Sequence, residues 1–130
     1  MSLAGALASA PAFSHRRHAP LKLKCDYCHS TAEKAEHAGF PAAETCRTCH
    51  SGLTLEKAYP SARVYKVPDF VVFSHAKHRA AKVECAACHG PVMEREVLTR
   101  EVPTTMKACV DCHRAKSASV SCNFCHELNQ

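Results

Sequence analysis

Tryptophan is absent from this chain of 130 residues, and all aromatic side chains together make up only 6% of it. A domain of this length ordinarily fills its centre with large apolar side chains, so an interior built from these alone would be thin. No stretch approaches the roughly 20 apolar residues of a membrane-spanning helix. Nothing resembles a proton donor, an oxyanion site or a substrate pocket. No cysteine stands unpaired in the pattern, although the chain has ten. A conventional hydrophobic core, a membrane span and ordinary acid–base catalysis are therefore poor accounts of the sequence.

What is there instead is ten cysteines and ten histidines, far above ordinary usage, which makes the stabilising element covalent or metallic. The cysteines form five Cys-x-x-Cys pairs, each followed at once by histidine: Cys25/Cys28/His29, Cys46/Cys49/His50, Cys85/Cys88/His89, Cys109/Cys112/His113 and Cys122/Cys125/His126. Residues at i and i+3 of one helical turn share a face, so the two thiols can reach the two vinyl groups on one porphyrin edge. The histidine at i+4 then sits under the iron as proximal ligand. This is the pattern of c-type haem attachment.

Zinc ribbons also use Cys-x-x-Cys, but a tetrahedral site does not need a histidine after every second cysteine, and five pairs divide badly into such sites. A disulfide scaffold has no use for those histidines. A redox dithiol occurs once in a unit, not five times. Five c-type haems are the expected cofactors.

Five histidines remain outside the motifs: His15, His18, His37, His75 and His78. Five irons need five distal ligands, and the counts match. Neutral imidazole on both faces gives a six-coordinate, low-spin iron, which suits electron transfer because neither face is open to substrate. Four of the five lie in a duplicated stretch: "FSHRRHAPLKLKCDYCH" runs from Phe13 to His29, and "FSHAKHRAAKVECAACH" from Phe73 to His89, 60 residues further on.

These stretches resemble the class III c-type cytochromes, small low-potential multihaem carriers. The resemblance implies a small multihaem cytochrome c fold, mostly coil with a few short α-helices and a core formed by haems. It also implies that His15 completes the haem of His29, His75 that of His89, His18 that of His50 and His78 that of His113. For the fifth haem, at Cys122 and Cys125, the family's distal residue falls shortly before the fourth motif, where this chain has Met93 and Met106 but no histidine. By count the ligand is His37; by position it is Met106 or Met93; an open iron is the remaining alternative.

Along the chain, residues 1–12 read as an N-terminal extension or signal remnant, with an Ala-x-Ala-like site at Ala8-Ser9-Ala10. Residues 13–52 form a two-haem module, 53–69 a linker and 70–130 a three-haem module. "TAEKAEHAG" predicts a helix capped by Thr31 and stopped by Gly39. "PTTMKACVDCHRAK" predicts another, capped by Thr104 or Thr105. "RVYKV" and "DFVVF" predict a short β-hairpin.

The formal charge is +5. Each haem adds two propionates against about +1 from a ferric porphyrin, so five haems bring about −5 and the holoprotein is near neutral. The basic balance is therefore no argument for nucleic acid. Arg16, Arg17, Lys22, Lys24, Lys77, Arg79 and Lys82 cluster near the histidine pairs, to neutralise propionates, to steer an acidic redox partner, or simply as a solvated face.

The function expected is electron transfer between extracytoplasmic redox partners, because c-type attachment is made outside the bacterial cytoplasmic membrane. This is a carrier rather than an enzyme. The alternatives are a haem subunit of a membrane quinol-oxidising complex, a haem filament, or a multihaem reductase with one open iron. The mass of the denatured protein should exceed that of the polypeptide by five macrocycles; fewer, or zinc in their place, contradicts the five-site reading.

Overall fold

A computed structural model describes residues 12–127 apart from 53, 54, 56, 57 and 61. All but the last residue of the expected N-terminal extension, and part of the expected linker, lie outside the described residues. The described chain has seven α-helices, all but one of them a single turn or little more: α1 His15–His18, α2 Cys25–Cys28, α3 Ala43–Arg47, α4 His75–Ala80, α5 Ala86–His89, α6 Met106–Ala115 and α7 Cys122–Cys125. Tighter 3₁₀ turns cover Ala19–Leu21, Ser30–Glu33 and Val92–Glu94.

Local chemistry accounts for these short pieces. The hydroxyls of Ser14 and Ser74 accept from the backbone N–H groups of Arg17 and Lys77, each at 3.3 Å, and so cap α1 and α4. Lys22 and Lys82, also 60 residues apart, both take the left-handed conformation that breaks the chain after each helix, with φ of 53° and 59°. Thr105 caps α6 by accepting from Ala108 N–H at 3.3 Å, and this longer helix carries the fourth motif, as expected.

Three expectations fail, for identifiable reasons. Thr31 does not cap a helix: its hydroxyl donates to the carbonyls of His37, at 2.9 Å, and Ala38, closing a loop after the 3₁₀ turn. The short β-hairpin is not formed, and no strand occurs among the described residues. The backbone groups that its ladder needs are used elsewhere. Val72 N–H donates to Cys125 carbonyl at 2.8 Å, Phe70 carbonyl accepts from His126 at 3.0 Å, and Val64 carbonyl accepts from Arg100 at 3.3 Å. Pro68, between the two runs, has no N–H to offer.

The third correction concerns Cys49. Its motif does not lie on one α-helical turn, because α3 ends at Arg47 and leaves Cys49 and His50 beyond the helix, with only Cys46 on it. Thr48 stands at the break, where its hydroxyl donates back to the Thr45 carbonyl at 2.7 Å, a local bond that competes with helix continuation. The chain tightens rather than unwinds there. Cys49 N–H and His50 N–H both donate to the Cys46 carbonyl, at 3.2 and 2.9 Å, so Cys49 stays one turn beyond its partner.

Very little of the polypeptide packs on itself. Among the described residues, Leu55 is the one buried hydrophobic side chain. The chain exposes 10521 Å², whereas a compact protein of 14.2 kDa exposes about 6,800 Å².

The largest contacts between elements join the first duplicated stretch to the second. α4 rests on the Ser30–Glu33 turn of the first module, and α1 rests on the Val92–Glu94 turn of the second. Ala76 N–H donates to Ala35 carbonyl at 3.0 Å, and Arg16 N–H to Arg95 carbonyl at 3.1 Å. Two of the basic residues serve this seam: Arg17 pairs with Glu96 at 2.7 Å, and Arg79 with Asp26 at 2.9 Å and Glu33 at 3.5 Å.

The hydrogen bond from Arg79 holds the Asp26 carboxyl below its ordinary range, against a smaller opposing effect of desolvation. A carboxyl with a depressed folded-state pKa contributes stability above its unfolded value, and that contribution is lost as pH falls through the folded value. Asp26→Asn should therefore lower Tm at neutral pH and leave it nearly unchanged in strong acid. A thermal melt at both extremes checks this.

Candidate functional site

The site begins with the imidazoles. A carbonyl oxygen only accepts, so a histidine whose Nδ1 meets one must carry its proton there, leaving the Nε2 lone pair free for a metal. Six histidines are fixed in this way. His18 and His78 donate to the carbonyls of Ser14 and Ser74, both at 2.8 Å. His29 donates to Gly39 at 2.7 Å, His75 to Glu36 at 2.7 Å, His113 to Ser119 at 2.7 Å and His126 to Phe70 at 3.0 Å. Gly39 can present its carbonyl here because it holds φ at +65°, and a Cβ added to it would meet Thr31 Oγ1 at 3.0 Å.

The rings then face one another in pairs. His15 and His29 have centroids 6.3 Å apart and planes 14° from parallel, and His75 and His89 repeat this at 6.3 Å and 17°. His18 faces His50 at 6.1 Å, and His78 faces His113 at 6.1 Å. These four pairs are the ones the family resemblance puts together. A metal-bound imidazole nitrogen lies about 2.0–2.1 Å from its ion, so with a ring radius of about 1.1 Å two rings across one ion have centroids roughly 6.3 Å apart.

Phe13 and Phe73 hold the histidines of each pair in identical fashion. Each ring stands edge-on to the first histidine, at 89°, and stacks on the second, at 26°. These phenylalanines and the two serines are parts of the site that spacing alone leaves unread. The signal for the serines is their position just before a helix start; nothing in the sequence marks the phenylalanines apart from the duplication.

The fifth motif differs. Among the described residues no second histidine ring faces His126, whose ring neighbour is Phe70 at 5.8 Å. His37 lies exposed in the loop beneath α4, beside Glu36, and faces no other histidine among the described residues. Met93 sits in the turn that packs against α1. Met106 opens α6 and is 67% exposed.

All ten cysteines are free thiols, so no disulfide competes with attachment. Cys25, Cys49, Cys85, Cys109, Cys112 and Cys122 are exposed, while Cys28, Cys46, Cys88 and Cys125 are partly covered. The Cys49 thiol, displaced past the end of α3, lies 3.8 Å from the Thr48 hydroxyl, while the Cys46 thiol points back along the helix to the Ala42 carbonyl at 3.9 Å.

Partial desolvation foremost pushes up the thiols of Cys25, Cys28, Cys88 and Cys109, with neighbouring thiols adding to it. Burial also lowers the pKa of His15 and His89, assisted by His29 and His18 in one case and by His75 and His29 in the other. Neutral imidazole is the form that ligates.

Haem fits these residues on three structural grounds. The paired imidazoles stand at the separation that two ligands of one haem iron would require. No group of three or more His, Cys, Asp or Glu among the described residues is placed to hold a bare metal ion. The buried Tyr65 hydroxyl, whose ring lies 4.6 Å from His89, has no hydrogen-bond partner among the described residues and suits a propionate. Opposed axial imidazoles with thiol pairs alongside define the class, a multihaem c-type cytochrome that binds haem iron and serves electron transport.

Comparison with known proteins makes the family specific. The family model for cytochrome c3 matches residues 17–96, more than half of the chain, and that for cytochrome c7 and related cytochrome c matches residues 71–127. The chain belongs to the cytochrome c3 family. It is also similar to the multiheme cytochrome c subunit of menaquinone reductase from Nitratidesulfovibrio vulgaris. The two are 29% identical over 157 aligned positions, which cover 88% of this chain and 75% of that protein.

Ser74 acts here twice, as helix cap and through its carbonyl. Ser74→Ala should remove about 1 kcal/mol of capping stability, whereas Ser74→Thr should retain most of it. Guanidinium unfolding followed at the Soret band distinguishes the two variants.

Proposed function

We propose that the chain carries five c-type haems, one on each Cys-x-x-Cys-His motif, and passes single electrons between redox partners outside the cytoplasm. The observation that carries this reading is the set of four imidazole pairs opposed at 6.1 to 6.3 Å. His29, His50, His89, His113 and His126 are the proximal ligands. His15, His18, His75 and His78 are the distal ligands of the first, second, third and fourth haems respectively. Each haem supplies a one-electron iron couple. The protein's own groups fix the axial nitrogens, and they leave neither face of those four irons open to substrate, as befits a carrier rather than an enzyme.

Met106 is the distal ligand of the fifth haem in this reading. It lies one helical turn before Cys109 on α6, and Phe124 of the fifth motif lies 6.2 Å from the ring of His113 on the same helix. His37 belongs instead to the loop under α4, which serves the first and third motifs. A methionine sulfur raises the potential of its iron relative to a second imidazole.

A second reading is favoured by the relative's name: the chain acts as the haem subunit of a quinone-linked membrane complex. Among the described residues no helix is long and apolar enough to cross a membrane. Extraction decides between the readings. A free carrier appears in the soluble fraction and elutes as a monomer, whereas a subunit sediments with membranes and co-elutes with integral proteins.

Near-infrared magnetic circular dichroism should find four histidine–histidine irons and one histidine–methionine iron. Met106→His should convert the fifth signal to the bis-histidine type and lower one potential in a redox titration. Carbon monoxide binding to the reduced wild-type protein without displacement of a protein ligand would instead indicate an open iron and support a reductase.

A further inference from the structure

Resting on the five-haem reading, we infer that the attachment sites form a single unbranched row in the order second, first, third, fourth, fifth, and not in the order of the chain. Four juxtapositions carry it. The first and second sites share α1, whose two histidines face His29 and His50, and the Cys28 thiol neighbours Cys46. The third and fourth share α4, whose two histidines face His89 and His113, and Cys88 neighbours both Cys112 and Cys109. The fourth meets the fifth where Phe124, inside the fifth motif, lies 6.2 Å from the His113 ring and Cys109 neighbours Cys125.

The remaining link is the unexpected one. The first site meets the third, because His75, which faces His89, donates to Glu36 in the loop whose Gly39 anchors His29, and the Cys25 thiol lies near that of Cys85. Arg79, one residue beyond the distal pair of the second module, binds Asp26 between the two cysteines of the first motif. The seam also has internal two-fold character. Donor residues 16 and 76 are 60 apart, and so are their acceptors 95 and 35, so each module gives the other the contact that it receives. That reciprocity is the mark of an isologous interface, here between two halves of one chain. It puts the leading attachment site of each module at the centre of the row.

The second and fifth sites are then its termini, and redox partners meet the protein there.

Proton NMR of the fully reduced, diamagnetic holoprotein tests the row directly, since contacts between thioether and cysteine protons assign each haem to its motif. Expected are dipolar contacts between the first and second haems, the first and third, the third and fourth, and the fourth and fifth. A contact between the second and third haems, or none between the first and third, overturns the order. A neutral gadolinium chelate added to the same sample should broaden resonances of the second and fifth haems before those of the first and third; the reverse overturns the assignment of the termini. A haem count below five in the mass spectrum of that sample overturns the underlying reading, whereas five haems with a second-to-third contact overturn the row alone.

Discussion

The structure depends on one arrangement: two imidazoles face each other with ring centroids 6.1 to 6.3 Å apart. A chain that satisfied only its own packing would close such a gap. Here the gap is held open because at least one ring of each pair is anchored from behind. Backbone carbonyls of Ser14, Gly39, Glu36, Ser74, Ser119 and Phe70 take the Nδ1 protons of six histidines. The orientation of Nε2 is thus fixed before any metal arrives, and ring rotation is not left as a cost of ligation. Even the departures from regular structure follow: the Thr31 loop bends so that Gly39 reaches His29, and the Phe70 stretch gives up a strand to reach His126.

Scarcity of ordinary core material is consistent with this design rather than a defect of it. With Leu55 the one buried hydrophobic side chain among the described residues, the polypeptide has no apolar centre to drive its collapse. Haems held at the cysteine pairs would provide that centre, and the exposed Leu21, Tyr27, Phe40 and Phe124 are apolar surface available to such groups. The chain belongs to the cytochrome c3 family, whose members are electron carriers. Its likeness to a menaquinone reductase subunit extends over most of both chains.

Duplication solves a second problem. Two modules with few internal contacts are joined by exchanging equivalent ones: α1 on the Val92–Glu94 turn and α4 on the Ser30–Glu33 turn. Ion pairs at Glu96 and Asp26 reinforce the exchange without matching each other residue for residue, since position 19, the counterpart of Arg79, is alanine. The duplication is kept in geometry where it positions imidazole, as the matching ring angles of Phe13 and Phe73 show, and relaxed where it only adds charge.

The attachment motifs and the division of ten histidines into motif and non-motif sets were legible in residue order, whereas the placing of His15, His18, His75 and His78 opposite particular motif histidines came through the family resemblance. Thiol spacing and one-turn helices are local matters, set by neighbours three or four positions apart, and even the early end of α3 before Cys49 has a local cause in the Thr48 hydroxyl. The missing hairpin and the lost Thr31 helix were not legible, because both segments have adequate local propensity and are overruled by histidines 56 and 10 positions away that claim their carbonyls. Nor could the sequence foretell that Cys25 lies beside Cys85. Sixty residues separate them, and only the crossing of the two modules, a consequence of which backbone groups remain free after each loop has served its histidine, decides that meeting.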